Sequence, residues 1–265
     1  MVLTGRLVHI ECMKTVHAIS RRTCLALGAG FAASFLPVAA RAGTNPDVVV
    51  ELFSSQGCNS CPPADRLFSE LRQKPGVLAL TYHVDYWDYL GWKDTLASPE
   101  FSQRQYDYAK ARGDMDVYTP QMIINGGKPL VGSQRSEVYA VLEQSRQMNW
   151  PVDITISAGS NEIAIDVGPF ASDGAPPASG TLWVMPVLPE TTVKIERGEV
   201  AGQDMTYNNV VRRLVPAGMW NGSADRISLP KDGLLPPDCT LCVALLQQGK
   251  VGRILGAAVW DSLDS

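Results

Sequence analysis

Gly57-Cys58-Asn59-Ser60-Cys61-Pro62 constrains this chain more than any other stretch. An apolar run, Val48-Val49-Val50-Glu51-Leu52-Phe53, precedes it and reads as a buried strand. After it, Pro63 to Leu71 carries Leu67, Phe68 and Leu71 at helical spacing. Prolines suit a first helical turn, where an N–H has no intrahelical partner. The cysteines therefore fall on a strand-to-helix turn, with Cys58 at or just before the helix N-terminus. Unpaired amides and the positive end of the helix dipole favour a thiolate there, and a thiolate is the form that attacks disulfides. The two-residue spacer lets the second sulfur reach back and resolve a mixed disulfide. The same spacing also allows a static structural disulfide or half of a metal site.

The chain has 265 residues, room for one large domain or two ordinary ones, and its 45% hydrophobic and 19% charged composition is that of a globular protein. Residues 1–42 read as an export signal. Arg21-Arg22 stand ahead of a mildly apolar segment, and Ala40-Arg41-Ala42 supplies the small residues of a cleavage site. The pattern resembles a bacterial twin-arginine signal, with Met13 as an alternative start. As a membrane anchor the segment is short, and Pro37 interrupts it. Cleavage near Ala42 gives a periplasmic or secreted chain without a stable membrane anchor. It removes five basic residues and one acid, which takes the net charge from −4 to −8. That balance argues against nucleic acid as a partner. His83 becomes the sole histidine, and Cys58, Cys61, Cys239 and Cys242 remain, an even number suited to an oxidising compartment.

Val77 to Val84 reads as a second strand and runs into an acid- and aromatic-rich loop, Asp85 to Asp94. On the carboxyl rim of a parallel sheet, Tyr86, Trp87, Tyr89 and Trp92 form a contact surface for a peptide or apolar substrate. Alternatively they cap the sheet while the acids satisfy loop amides. Ser98-Pro99-Glu100 starts a helix that stops at Gly113. Asn125-Gly126 is a hairpin turn, Pro129 marks its returning strand as an edge, and a last helix spans 133–148.

This order, with Thr119-Pro120 opening the hairpin, resembles a thioredoxin fold. The resemblance implies a cis Thr119–Pro120 bond beside the dithiol, presenting backbone to substrate. More narrowly, Glu51 to Cys58, Cys61 to Asp65, His83 to Asp88 and Tyr118 to Gln121 resemble an exported family catalogued as domain of unknown function 1223, over about residues 47–260.

From Trp150 onward, short alternating segments joined by Gly, Pro and Asn turns predict seven or eight antiparallel strands. The expected architecture is an α/β thioredoxin-like domain over 43–149, followed by an all-β, sandwich-like domain over 150–265. Cys239 and Cys242 read as a structural bridge or buried thiols, a second redox pair, or metal ligands. Functionally the pattern points to a thiol–disulfide oxidoreductase needing no cofactor. Cys58 is its nucleophile, Cys61 its resolver, and Thr119, Pro120, Tyr86 and Trp87 its substrate contacts. Its partners are a client protein or small-molecule thiol and a separate redox partner. A non-catalytic assembly protein with a locked disulfide and a soft-metal chaperone are the competing classes.

Overall fold

Val48–Ser54 (β1) shows how the molecule is layered. The residues of this strand alternate between two faces, and both faces are buried. Val48, Val50 and Leu52 pack with Leu67, Phe68 and Leu71 of α1 (Pro62–Leu71) and with Val138 and Leu142 of α3 (Arg135–Arg146). Val49 and Phe53 turn the other way, toward Phe101 and Tyr108 of α2 (Pro99–Arg112). The computed structural model describes residues 43–263, so the export-signal reading of residues 1–42 lies outside it.

β1 pairs in parallel with β2 (Val77–His83) and antiparallel with β3 (Gln121–Ile124). β3 turns back into β4 (Pro129–Val131), which ends the sheet on that side. The turn between them has Asn125 at φ 51° and Gly126 at φ 69°, the left-handed pair that a tight hairpin needs. At Gly126 a Cβ would stand 2.3 Å from the Gly252 carbonyl, so this tip docks closely on a turn from the other half of the chain.

The remaining strands are β5 (Ile154–Ala158), β6 (Glu162–Val167), β7 (Gly180–Lys194), β8 (Asp204–Val211), β9 (Val215–Trp220), β10 (Asp225–Pro230), β11 (Leu241–Gln248) and β12 (Ile254–Asp261). β5, β6 and β10 form a three-stranded antiparallel sheet. The others join the first four in one sheet of nine, ordered β12-β11-β7-β8-β2-β1-β3-β4, with β9 paired to β7.

That continuity overturns the expected thioredoxin-like α/β domain followed by an all-β domain. The described chain is mostly β, with three α-helices and one mixed sheet that runs through the expected boundary. The cause is the edge of β2, which is not a free edge. β8 lies parallel to it through the Thr81–Val210 pair. Side chains reinforce the seam: Thr81 Oγ1 donates to the Asn208 carbonyl at 2.9 Å, and Asn209 Nδ2 donates to the Ala79 carbonyl at 2.9 Å. One apolar core crosses it as well, with Leu80 and Tyr82 packed in the same cluster as Met185, Val187, Val211 and Val243. The sandwich-like packing is confined to the far side of β7, β11 and β12, where the three-stranded sheet covers Val184, Ala244 and Ala258.

Candidate functional site

β1 runs out at Ser54, and the chain turns through Gly57 into the Cys58–Cys61 disulfide before entering α1. Cys61, not Cys58, occupies the helix cap, and Pro62 and Pro63 fill the first two helical positions. This changes the electrostatics expected from sequence. The prolines carry no N–H, and the amides of Ala64 and Asp65 donate to the Cys61 carbonyl at 2.8 and 3.0 Å. The first turn therefore has no free amide to offer a thiolate. Instead, the Ser60 hydroxyl lies 3.4 Å from Cys58 Sγ and donates to the Thr119 carbonyl at 3.3 Å. Both cysteines are nearly enclosed, Cys58 at 2% exposure and Cys61 at none.

The Thr119–Pro120 peptide is cis and sits against this turn. Trp87 Nε1 donates to Thr119 Oγ1 at 2.8 Å. Its Cβ would lie 3.0 Å from a Cβ built on Gly57, so the aromatic loop approaches the disulfide turn closely. Tyr86 donates to Gln105 Oε1 at 3.1 Å, whereas Tyr89 stacks on Trp87 and remains 77% exposed. Cys58, Cys61, Thr119, Pro120 and Trp87 thus share one rim, with Tyr86 just behind. The loop acids face inward: Asp94 accepts from the Gln56 and Leu96 amides at 2.7 and 2.9 Å, and Asp88 accepts from the Asp94 amide at 3.0 Å.

Behind the disulfide lies a buried polar cluster. Asp65, one helical turn beyond Cys61, accepts from Ser54 Oγ at 2.8 Å on one oxygen, while its Oδ2 is buried with no partner. His83, at the end of β2, holds Asp94 Oδ2 at 2.8 Å through Nδ1, and its Nε2 is buried without a partner. The Tyr207 ring meets the His83 ring edge-on with centroids 4.5 Å apart. Burial pushes the Asp65 carboxyl up to about 6, with His83 and the Ser54 hydroxyl opposing the rise. Burial also acts on Asp94, but His83 and the two amides outweigh it and hold that carboxyl below its ordinary range. The sequence flagged His83 and Asp65 separately. Their convergence with Asp94, Ser54 and Tyr207 had no local signal beyond the acid-rich loop.

Asp65 makes stability depend on pH in a definite direction. Its folded-state value lies above the unfolded one, so the native state binds more protons between about pH 4 and 6. Its contribution is therefore most favourable below that window, falls as pH rises through it, and is level above. Asp65→Asn keeps the Ser54 contact and removes the titration. Urea unfolding should show the variant gaining on the wild type by roughly 2 kcal/mol between pH 4 and 7. Parallel pH profiles for the two proteins would remove Asp65 from this role.

Cys239 and Cys242 are apart from the rim. They are free thiols, buried in the turn before β11 and in β11 itself. Burial raises both, to about 11 for Cys239, helped by Asp238, and to about 12 for Cys242. β11 lies four strand positions from β1 in the sheet, roughly 19 Å at ordinary strand spacing. Among the described residues no group of three or more His, Cys, Asp or Glu side chains has the geometry to hold a metal ion, and no helix is long and apolar enough to cross a membrane.

A disulfide-bearing turn on the rim of a mixed nine-stranded sheet defines the class of protein. The family model described as Protein of unknown function (DUF1223) matches residues 49–247, and the chain belongs to that family. Among solved structures, protein AGR_C_4864 from Agrobacterium tumefaciens is 33% identical; the match covers 84% of this chain and 97% of that one, with a TM-score of 0.70. HBP35 of Porphyromonas gingivalis shares the fold at 14% identity, covering 83% of this chain and 76% of that one, with a TM-score of 0.57. No curated protein matches the chain.

Proposed function

We propose that this protein is an exported thiol–disulfide oxidoreductase working through Cys58 and Cys61 on protein or small-molecule thiols. The observation that carries the reading is the buried carboxylate oxygen Asp65 Oδ2, unpaired, one helical turn from Cys61. In the reduced form the Cys58 thiolate attacks a client disulfide, forming a Cys58–client bond and expelling the client's second sulfur as a thiolate. Cys61 then gives its proton to Asp65 and attacks Cys58 Sγ. The Cys58–Cys61 bond forms and the client leaves with both thiols reduced, its two electrons having come from the cysteine pair. The Thr119 carbonyl and the Trp87–Tyr89 face border the turn where a client chain would lie. A separate dithiol partner restores the reduced pair.

A second reading draws on the near-complete burial of both sulfurs: a locked disulfide that pins the β1–α1 turn of a non-catalytic assembly protein. The reduction potential separates them. A catalytic pair should equilibrate with dithiothreitol at a potential more positive than about −300 mV, and a structural one should lie below it. A value below that line assigns the protein to the locked class.

A further inference from the structure

The hydroxyl of Ser60 stands between the disulfide and the cis-proline turn. It lies 3.4 Å from Cys58 Sγ and donates to the Thr119 carbonyl at 3.3 Å. A serine hydroxyl has a single proton and rotates to suit its acceptor, so these two compete for it. Ser60 is exposed, which leaves that rotation unobstructed.

The two acceptors are held in place. Trp87 Nε1 donates to Thr119 Oγ1 at 2.8 Å, and the Gly132 amide donates to the Pro120 carbonyl at 2.9 Å. Cys58 is 2% exposed, and its amide donates to the Ser55 carbonyl at 3.2 Å. The hydroxyl is therefore the part that moves.

The charge on Cys58 sets the winner. In the disulfide its sulfur is a neutral, weak acceptor, and the proton goes to the carbonyl. A thiolate is an anion, and hydrogen bonds to ionised acceptors are roughly twice as strong as neutral ones. Water reaches this sulfur poorly, and the first turn of α1 offers it no amide, since Pro62 and Pro63 lack N–H groups and Ala64 and Asp65 donate to the Cys61 carbonyl.

We propose that Ser60 is a positioning residue whose hydroxyl passes from the Thr119 carbonyl to Cys58 when the thiolate forms, an inference that rests on Cys58 being the attacking thiol. The transfer stabilises the thiolate and frees the Thr119 carbonyl to accept a backbone N–H from the client chain. Closing the disulfide returns the hydroxyl to the carbonyl and displaces that N–H. The reduced protein thus holds its client by one main-chain hydrogen bond that the oxidised protein withdraws.

Cys61→Ala leaves Cys58 a free thiol whether or not the disulfide is catalytic, and it adds no hydroxyl. In that background, iodoacetamide alkylation of Cys58, followed against pH by mass spectrometry of its peptide, reads the thiolate. Adding Ser60→Ala should raise the midpoint by about one pH unit, and Ser60→Thr should leave it near its original place. In carbon-13 NMR the Thr119 carbonyl should shift along the same titration, and by less than half as much in Ser60→Ala. Both variants should keep the melting temperature, because the side chain is exposed. An unchanged midpoint in Ser60→Ala, or an equal Thr119 shift in both proteins, would overturn the exchange of partners. Neither readout uses a client or the reducibility of the Cys58–Cys61 bond, so failure here is distinct from failure of the oxidoreductase reading.

Discussion

On the proposed function, Cys61→Ser should accumulate a mixed disulfide with client through Cys58, and Cys58→Ser should accumulate none. Attack creates the intermediate and resolution removes it, so deleting the resolver alone leaves the intermediate standing. The structure adds a reason for the asymmetry. Cys61 is at the helix cap and fully enclosed, whereas Cys58 precedes it in the turn and meets the Ser60 hydroxyl. The readout is non-reducing electrophoresis of whole-cell extracts after acid quenching, with mass spectrometry of the trapped bond. The contrast should be close to all-or-none. Equal trapping by the two variants would reverse or abolish the assignment of roles. Absence of trapping by either, with a disulfide that survives millimolar dithiothreitol, would leave the locked-bridge reading.

Arg104→Met should destabilise the fold by about 3–5 kcal/mol, because it strands the Glu51 carboxylate without its cation. At 2–4 °C per kcal/mol for a chain of this size, the melting temperature should drop by on the order of 10 °C. Arg104 and Glu51 side chains are 1% and 0% exposed, so solvent cannot replace the lost partner. Tyr108 donates to Glu51 Oε2 at 2.5 Å, and Gln247 Nε2 donates to the Tyr108 hydroxyl at 2.7 Å. One ionic network therefore ties β1 and α2 to β11, across the seam between the two halves of the chain. Glu51→Leu combined with Arg104→Met should be less destabilised than either single variant, since no buried charge is then left alone. Urea unfolding of the three variants measures this. A single variant within 1 kcal/mol of wild type would mean that water reaches Glu51.

The segments that depend on neighbours within a few residues were legible in the sequence. Ser98 caps α2 by accepting from the Glu100 amide, and Gly113 ends it at φ 84°. Asn125-Gly126 makes the hairpin turn, Pro129 lies in the terminal strand, and the Cys58–Cys61 spacing closes as a disulfide. Each follows from capping, backbone freedom or ring closure, all of which act locally. Strand continuity was less legible. Turn residues from Trp150 onward predict short strands, yet β7 runs unbroken from Gly180 to Lys194 through Pro186 and Pro189. Its first half pairs with β11 and its second with β8.

Tertiary structure alone decided what each buried face packs against. The continuous apolar runs of β1 and β2 state that their residues are covered on both faces, but carry no record of which strand covers the β2 edge. That edge was settled by one parallel bridge and by side chains from Asn209 and Thr81 that no periodicity reveals. The same holds for the chemistry. Glu51 in an apolar strand, Asp65 in a helix and His83 ending a second strand are single letters until the fold brings them to Arg104, Ser54 and Asp94. The sequence determined the disulfide turn and its local elements. The long-range pairing of β8 with β2 decided that one continuous sheet, with an apolar cluster shared across the seam, stands behind it.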